Sequence, residues 1–257
     1  MQIYTLFSGS GGNSVYVKDK NTEILIDAGK SAGAIEKSLL SLGSSLYSID
    51  AIFLTHEHSD HTAGLEIISK KHHIPVHITS PSYKILSSLT YLPSCAKQHD
   101  IRYEVTVGSL KLRSFEIPHD SNQNVGYIIE NEEGERLGIA TDMGHITEEI
   151  ICSLEGCDYA IIESNHDTVM VKSGPYPFFL KERILSDRGH LCNEECARLA
   201  LCLANSGARI ITLAHLSREN NSPDKAFSVT RQALDEGGYP NVDLKVASPV
   251  ISVCVHN

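Results

Sequence analysis

The sequence predicts an α/β fold built from layered sheets, and three observations carry that prediction. Short apolar or alternating runs of strand length recur through both halves of the chain, interleaved with runs of helical periodicity. No linker, low-complexity tract or internal repeat divides the halves, so residues 1–257 are expected to form one domain. An apolar content of 41% over 257 residues supplies the side chains for a sizeable core.

Strands are expected near residues 3–7, 14–19, 22–28, 51–56 and 75–79. A second set is expected near 103–107, 110–118, 125–130, 136–141, 159–163, 208–214 and 243–248. Helical spacing appears in "SAGAIEKSLLSLG", "TAGLEIISKKHH", "SPSYKILSSL", "ITEEIICSLEG", "NEECARLALCLANSG" and "SPDKAFSVTRQALDEGG". Ser31, Asn193 and Ser222 read as N-caps, and Gly43, Gly207 and Gly237 as stops. "SGSGGNS", at 8–14, reads as a tight hairpin turn between the first two strands. No Gly-Lys-Ser/Thr follows it, which excludes a P-loop and leaves Ser10 and Asn13 as candidates to reach a substrate phosphate.

Composition removes several function classes. The N-terminus has no basic leader and no apolar run approaches membrane-spanning length, so a cytoplasmic protein without a membrane partner is expected. The seven cysteines then read as reduced thiols. Cys192 and Cys196, four apart on a helix, either pack in the core or form part of a small zinc site. A net charge of −10 argues against a surface that binds nucleic acid everywhere, while leaving room for a local basic groove. Nothing in the sequence specifies an oligomeric state.

The chemistry is concentrated in "FLTHEHSDHTAG", which follows an apolar run and places five titratable side chains in the six positions 56–61. His56 and His58, two apart in extended chain, project to one side, and Asp60 and His61 return to the same point from the start of a helix. Mixed imidazole and carboxylate donors suit zinc, manganese or iron far better than calcium. Three further donors stand where apolar runs end: His119 after "LKLRSFEIP", Asp142 after "RLGIAT" and His215 after "ARIITLA". Strand exits are where α/β architectures gather functional groups, although any one alone reads equally as a satisfied polar residue. These seven donors exceed the set of one tetrahedral metal and fit two metals sharing a carboxylate.

The series His-x-His-x-Asp-His, a lone His, a lone Asp and a final His resembles the metallo-β-lactamase superfamily, from "LIDAG" at 25–29 to "LAHLS" at 213–217. The resemblance implies a four-layer αβ/βα sandwich, two facing mixed sheets with outer helices, and a site at one edge. It gives one divalent metal to His56, His58 and His119 and a second to Asp60, His61 and His215, with Asp142 between them. It also implies an orienting role for Asp27, which the residues alone equally describe as a turn cap.

Two metals about 3.5–4 Å apart activate water and clamp the oxygens of an in-line displacement, which suits phosphodiesters, lactones and thioesters alike. Discrimination rests on residues 160–195. Glu163 closes a strand, and His190 precedes an expected helix start at "GHLCN", where a phosphate oxygen could bind. His190 reads either as a loop residue or as a group that protonates a leaving alkoxide. The catalytic candidates are therefore Asp60, Glu163 and His190. His166 is a weaker candidate for substrate contact, because Asp167 beside it can simply turn the chain.

"GHLCN", "ATDMG", "ESNHD" and "LAHLSRENN" are similar to the YycJ (WalJ) subgroup, near the PhnP and tRNase Z branch. That similarity implies a DNA exonuclease acting from the 5′ end of double-stranded DNA. Only about seventy residues separate Asp142 from His215, too few for the extra domain of the larger nucleases of the superfamily. Lys172, Lys181, Arg183 and Arg188, with Tyr176, Phe178 and Phe179 interleaved, read as a nucleic-acid contact or as a solvated charged face. Arg218 is a further phosphate candidate. The competing functions are a cyclic-phosphate or cyclic-nucleotide diesterase, a lactone or thioester hydrolase of the glyoxalase type, and a non-catalytic metal module.

Overall fold

The computed structural model describes residues 1–89, 92 and 96–257. The first half runs β1 (Gln2–Phe7), β2 (Ser14–Asp19), β3 (Thr22–Ile26), α1 (Ala32–Ser41), β4 (Ala51–Phe53), α2 (Ser59–Thr62), α3 (Leu65–His72), β5 (Val76–Thr79), α4 (Ser80–Leu89) and β6 (Lys97–His99). The second runs β7 (Glu104–Val107), β8 (Leu110–Ile117), β9 (Asn124–Asn131), β10 (Arg136–Ala140), α5 (Glu148–Leu154), β11 (Tyr159–Glu163), α6 (Thr168–Ser173) and α7 (Phe178–Ile184). The chain then continues through α8 (Asn193–Asn205), β12 (Ile210–Ala214), α9 (Pro223–Glu236), β13 (Asp243–Val246) and β14 (Val253–His256).

The strands form two seven-stranded sheets, ordered β14-β1-β2-β3-β4-β5-β6 and β13-β12-β11-β10-β9-β8-β7. Both are mixed. In the first, β14, β1, β2 and β3 pair antiparallel and β3 to β6 parallel. In the second, β7 to β10 pair antiparallel and β10 to β13 parallel. The apolar runs explain this, because each sheet is buried on both faces. Between the sheets, Ile24, Ile26 and Phe53 pack in one core with Tyr127, Ile129, Ile139 and Ile161. Outside the first sheet, Leu25, Ile52 and Val76 meet Ile35 and Leu39 of α1 and Ile68 of α3. Outside the second, Ile128, Ile162 and Leu213 meet Leu154 of α5, Leu199 of α8 and Leu234 of α9. The result is the expected αβ/βα order.

Ser31 and Ser222 cap α1 and α9 through their side chains, as expected. Asn193 does not cap α8; Cys192 holds that position, and the Asn193 side chain is buried against Ser164 and Asn221. The helix expected over 62–73 is divided between α2, which ends at Thr62, and α3, which starts at Leu65; Gly64 between them passes too close to the Lys30 carbonyl to carry a side chain. Strands β6 and β14 and helices α6 and α7 were not among the expected elements. Each is short, and α7 buries no residue, so periodicity has little to register. Cys192 and Cys196 carry free thiols, and no cysteine joins a metal-type cluster among the described residues. Burial pushes the Cys196 thiol up to about 12, as befits a core residue.

Candidate metal centre

All the expected donors stand beyond strand ends at one edge of the two sheets. β4 leads to His56 and His58, α2 carries Asp60 and His61, and β8, β10 and β12 exit to His119, Asp142 and His215. His56, His58 and His119 bring their ligand atoms within 4.8 Å of one another, and so do Asp60, His61, Asp142 and His215. Asp142 lies between the groups, with Oδ2 3.1 Å from His61 Nε2 and Oδ1 3.9 Å from His119 Nε2. Asp60 Oδ2 lies 3.5 Å from His215 Nε2 and 3.6 Å from His61 Nε2.

The backbone is bent to achieve this. Asp27, Asp142 and His215 adopt left-handed φ values of 63°, 57° and 55° within two residues of the ends of strands β3, β10 and β12. Such conformations cost non-glycine residues about 1–3 kcal/mol each and persist where the surroundings over-determine them. Gly29, in "LIDAG", lets the chain after β3 approach α2: a β-carbon there would lie 1.7 Å from the Asp60 carbonyl oxygen.

Hydrogen bonds then fix the imidazole tautomers. His61 Nδ1 donates to Asp27 Oδ2 at 2.7 Å, so Asp27 orients a donor. Thr55 donates its amide and its hydroxyl to the same carboxylate. With its proton so used, the Thr55 hydroxyl accepts from His56 Nδ1 at 3.0 Å. His119 Nδ1 donates to the Gly189 carbonyl at 3.1 Å, and His215 Nδ1 to Glu163 Oε1 at 2.8 Å. Each of these four rings therefore presents the Nε2 lone pair, the form that binds metal. His56 Nε2, His215 Nε2 and Asp142 Oδ2 are buried without hydrogen-bond partners. Orphaned buried acceptors cost about 1–3 kcal/mol each, and divalent cations, one at each donor group, would satisfy them. The donor set fits two such ions.

Glu163, His190 and His215 group with Asp142 in a third cluster, but its carboxylate is already committed. Glu163 Oε1 accepts from His190 Nδ1 at 2.9 Å and from His215 Nδ1, while Oε2 accepts from the Met143 and Leu191 amides. Burial raises the Glu163 pKa, but the His190 charge and the two imidazole hydrogen bonds outweigh it and hold it at about 2. Burial also opposes charge on His190, and the Glu163 carboxylate reverses this, raising its pKa above the ordinary histidine value. His190, a fifth exposed, is the histidine of this group that reaches solvent.

Before and at the start of α8, the Leu191 amide donates to Glu163 and the Asn193 amide to the His166 carbonyl, so neither of these two amides is free for a phosphate oxygen. His166 is buried, with burial lowering its pKa to about 4; Asp167 caps α6. Arg188 holds the loop after β8, donating to the His119 and Ser121 carbonyls. Lys181 donates to the Lys172 carbonyl, and Arg183 pairs with Asp120, whose other oxygen is 3.2 Å from His119 Nε2.

Thr55, Ser8 and Asn124 support the centre with almost no mark in the sequence. Ser8 Oγ accepts from the His215 amide, and Asn124 donates to the Asp142 carbonyl. Ordinary hydroxyls and amides carry no signature; only adjacency to the histidine motif marked Thr55. Asn13 does reach the centre, its side-chain amide lying 3.1 Å from His61 Nε2.

A family model described as a β-lactamase superfamily domain matches residues 22–216. The chain belongs to the metallo-β-lactamase superfamily. It is 33% identical over 244 residues to a protein of Bacillus anthracis named exodeoxyribonuclease YycJ, covering 93% of this chain and 91% of that one. It is 31% identical over 246 residues to exodeoxyribonuclease WalJ of Streptococcus pneumoniae, covering 94% and 91%. Among solved structures, the metallo-β-lactamase fold protein YhfI of Bacillus subtilis superposes with a TM-score of 0.72 at 15% identity, over 99% and 100% of the two chains. As a metallo-β-lactamase superfamily member with this donor set, the protein is a metal-dependent hydrolase. Among the described residues, no helix is long and apolar enough to cross a membrane.

Proposed function

We propose that this hydrolase is a dinuclear phosphodiesterase, and specifically an exonuclease that degrades double-stranded DNA from the 5′ end. The observation that carries this is the Glu163–His190 pair: a solvent-reaching imidazole, held by a buried carboxylate, stands beside the Asp142 and His215 donors. Thioester hydrolysis expels a thiolate, a far weaker base than an alkoxide, and has less use for such an acid. Cleaving a phosphodiester demands a proton for the leaving alkoxide and positive charge against the crowded phosphorus. The two relatives named exodeoxyribonuclease support DNA as the polymer.

His56, His58 and His119 would hold one metal and Asp60, His61 and His215 the other, with Asp142 shared. Zinc or manganese suits these donors, and iron is compatible. When bound, the metals supply Lewis acidity and lower the pKa of water. The chain does the rest. Asp27 and Glu163 keep His61 and His215 in the binding tautomer, and His190 Nε2–H faces the leaving oxygen while Nδ1 stays on Glu163. Helix α7 lies over His119 through the Arg183–Asp120 pair and offers Phe178 and Phe179, 74% and 71% exposed, for base stacking.

Metal-loaded protein should be compared on duplex DNA, single-stranded DNA, RNA, bis(p-nitrophenyl) phosphate and a glutathione thioester. Preferential turnover of duplex DNA, lost in His190→Ala, is the expected result. Turnover of the thioester alone, surviving His190→Ala, would overturn the proposal.

A further inference from the structure

The turn between β1 and β2 carries a feature that the metal centre does not use. Gly11 has no side chain, and two cations converge on the space one would fill. The point where its β-carbon would stand is 3.0 Å from an Arg218 terminal nitrogen and 3.3 Å from Lys30 Nζ. The Lys30 stem reaches this place across Gly12, where a β-carbon would lie 2.7 Å from Lys30 Cδ and 2.3 Å from the Gly29 carbonyl oxygen. Gly12 also has a φ of 139°, so the turn needs glycine there for its conformation as well as for clearance.

Neither Lys30 nor Arg218 has an acidic partner among the described residues; Lys30 lies 5.9 Å from the Phe7 ring centre, and Arg218 is exposed. Two like charges brought together repel, and an anion between them removes that cost. The Ser10 and Gly11 amides make no hydrogen bond among the described residues. Consecutive free amides on a turn form a concavity suited to an anion. The same turn is bound to the metal centre at both ends. Ser8 accepts from the His215 amide, the Asn13 amide donates to the Asp60 carbonyl at 2.7 Å, and the Asn13 side chain contacts Asp60 and His61.

We infer that Lys30, Arg218 and the Ser10–Gly11 turn form a phosphate subsite beside the metal centre, on the Asp60 side. The inference rests on the proposed DNA substrate, whose phosphates are of two kinds: the terminal monoester and the backbone diester. Two cations match the dianionic monoester better, because it carries roughly −1.5 to −2 charges at neutral pH. The subsite would hold that end of the strand while the scissile bond lies over Asp142.

The test measures binding of nuclease-resistant phosphorothioate duplexes, with and without a 5′ phosphate, to metal-loaded protein over a range of salt concentrations. Wild type is compared with the Lys30→Ala, Arg218→Ala double variant and with Gly11→Asp. The aspartate would place its own carboxylate between the cations, and Gly11 is exposed at an ordinary φ, so it guards against a folding defect in the double variant. Each altered protein should bind about tenfold more weakly, and the double variant should lose about 2 from the slope of log affinity against log salt. A loss confined to the 5′-phosphorylated duplex assigns the subsite to the terminal monoester; an equal loss on both assigns it to a backbone phosphate. Affinity and slope within twofold of wild type on both duplexes would overturn the subsite. A wild type that binds with the full slope but never degrades native duplex would instead refute the exonuclease reading.

Discussion

His190 Nδ1 donates to Glu163 Oε1 at 2.9 Å, and that carboxylate is wholly buried beneath the metal centre. The pair separates holding metal from moving a proton. His190→Ala should retain both metals while kcat falls about a hundred- to a thousandfold, the usual range for losing a positioned acid or a transition-state donor. Metal analysis alongside single-turnover rates checks this. Loss of metal in His190→Ala would make His190 a ligand.

Asp27 and Asp142 should differ in the same assay. Asp142 faces both donor groups, so Asp142→Ala should abolish occupancy of at least one metal. Asp27 only orients His61, so Asp27→Ala should weaken metal affinity by about ten- to a hundredfold without emptying the site at saturating metal. Competition with a chromogenic chelator measures both.

Helix α7 buries none of its side chains. Replacing Phe178 and Phe179 together with alanine should change stability by no more than about 0.5 kcal/mol, as for exposed positions generally. The KM for duplex DNA should rise severalfold if bases stack there. Denaturation curves and steady-state kinetics on the same preparation distinguish a binding role from a structural one.

His77 gives a pH dependence unconnected with catalysis. It stacks on Phe53 at 4.3 Å between ring centres, and burial, helped by Lys97 and His99, lowers its pKa to about 4. A histidine with a depressed folded-state pKa contributes stability that is intact above its unfolded value and lost as pH falls through the folded one. From about pH 7 to pH 5 this one group should cost about 2 kcal/mol, given an unfolded value near 6.5. Urea denaturation at both pH values should show a smaller loss for His77→Gln than for wild type.

Much of this was legible in the sequence for a physical reason. Metal donors must be particular residue types, and strand exits are visible as the ends of apolar runs, so His56, His119, Asp142 and His215 announce themselves. What supports them was not legible. Thr55, Ser8 and Asn124 are common residues whose role depends on contacts across the fold, and the Gly189 carbonyl that orients His119 has no side chain at all. The burial of His166 was not legible, because a histidine near a strand exit looks the same in sequence whether buried or exposed. The carbonyl contacts of Arg188 and Lys181 were not legible either, since a cation that ties down backbone carbonyls looks the same in sequence as one that does not. Lys30 carries no signal in the sequence because only the folded turn brings it beside Arg218.

The most direct test of the central claim follows the fate of a duplex labelled at one 5′ end and, separately, at one 3′ end. With zinc- or manganese-loaded protein, the 5′ label should appear as mononucleotide at the earliest times while the 3′-labelled strand shortens progressively, and chelation should stop both. Intact duplex after prolonged incubation with fully metal-loaded protein would contradict the account.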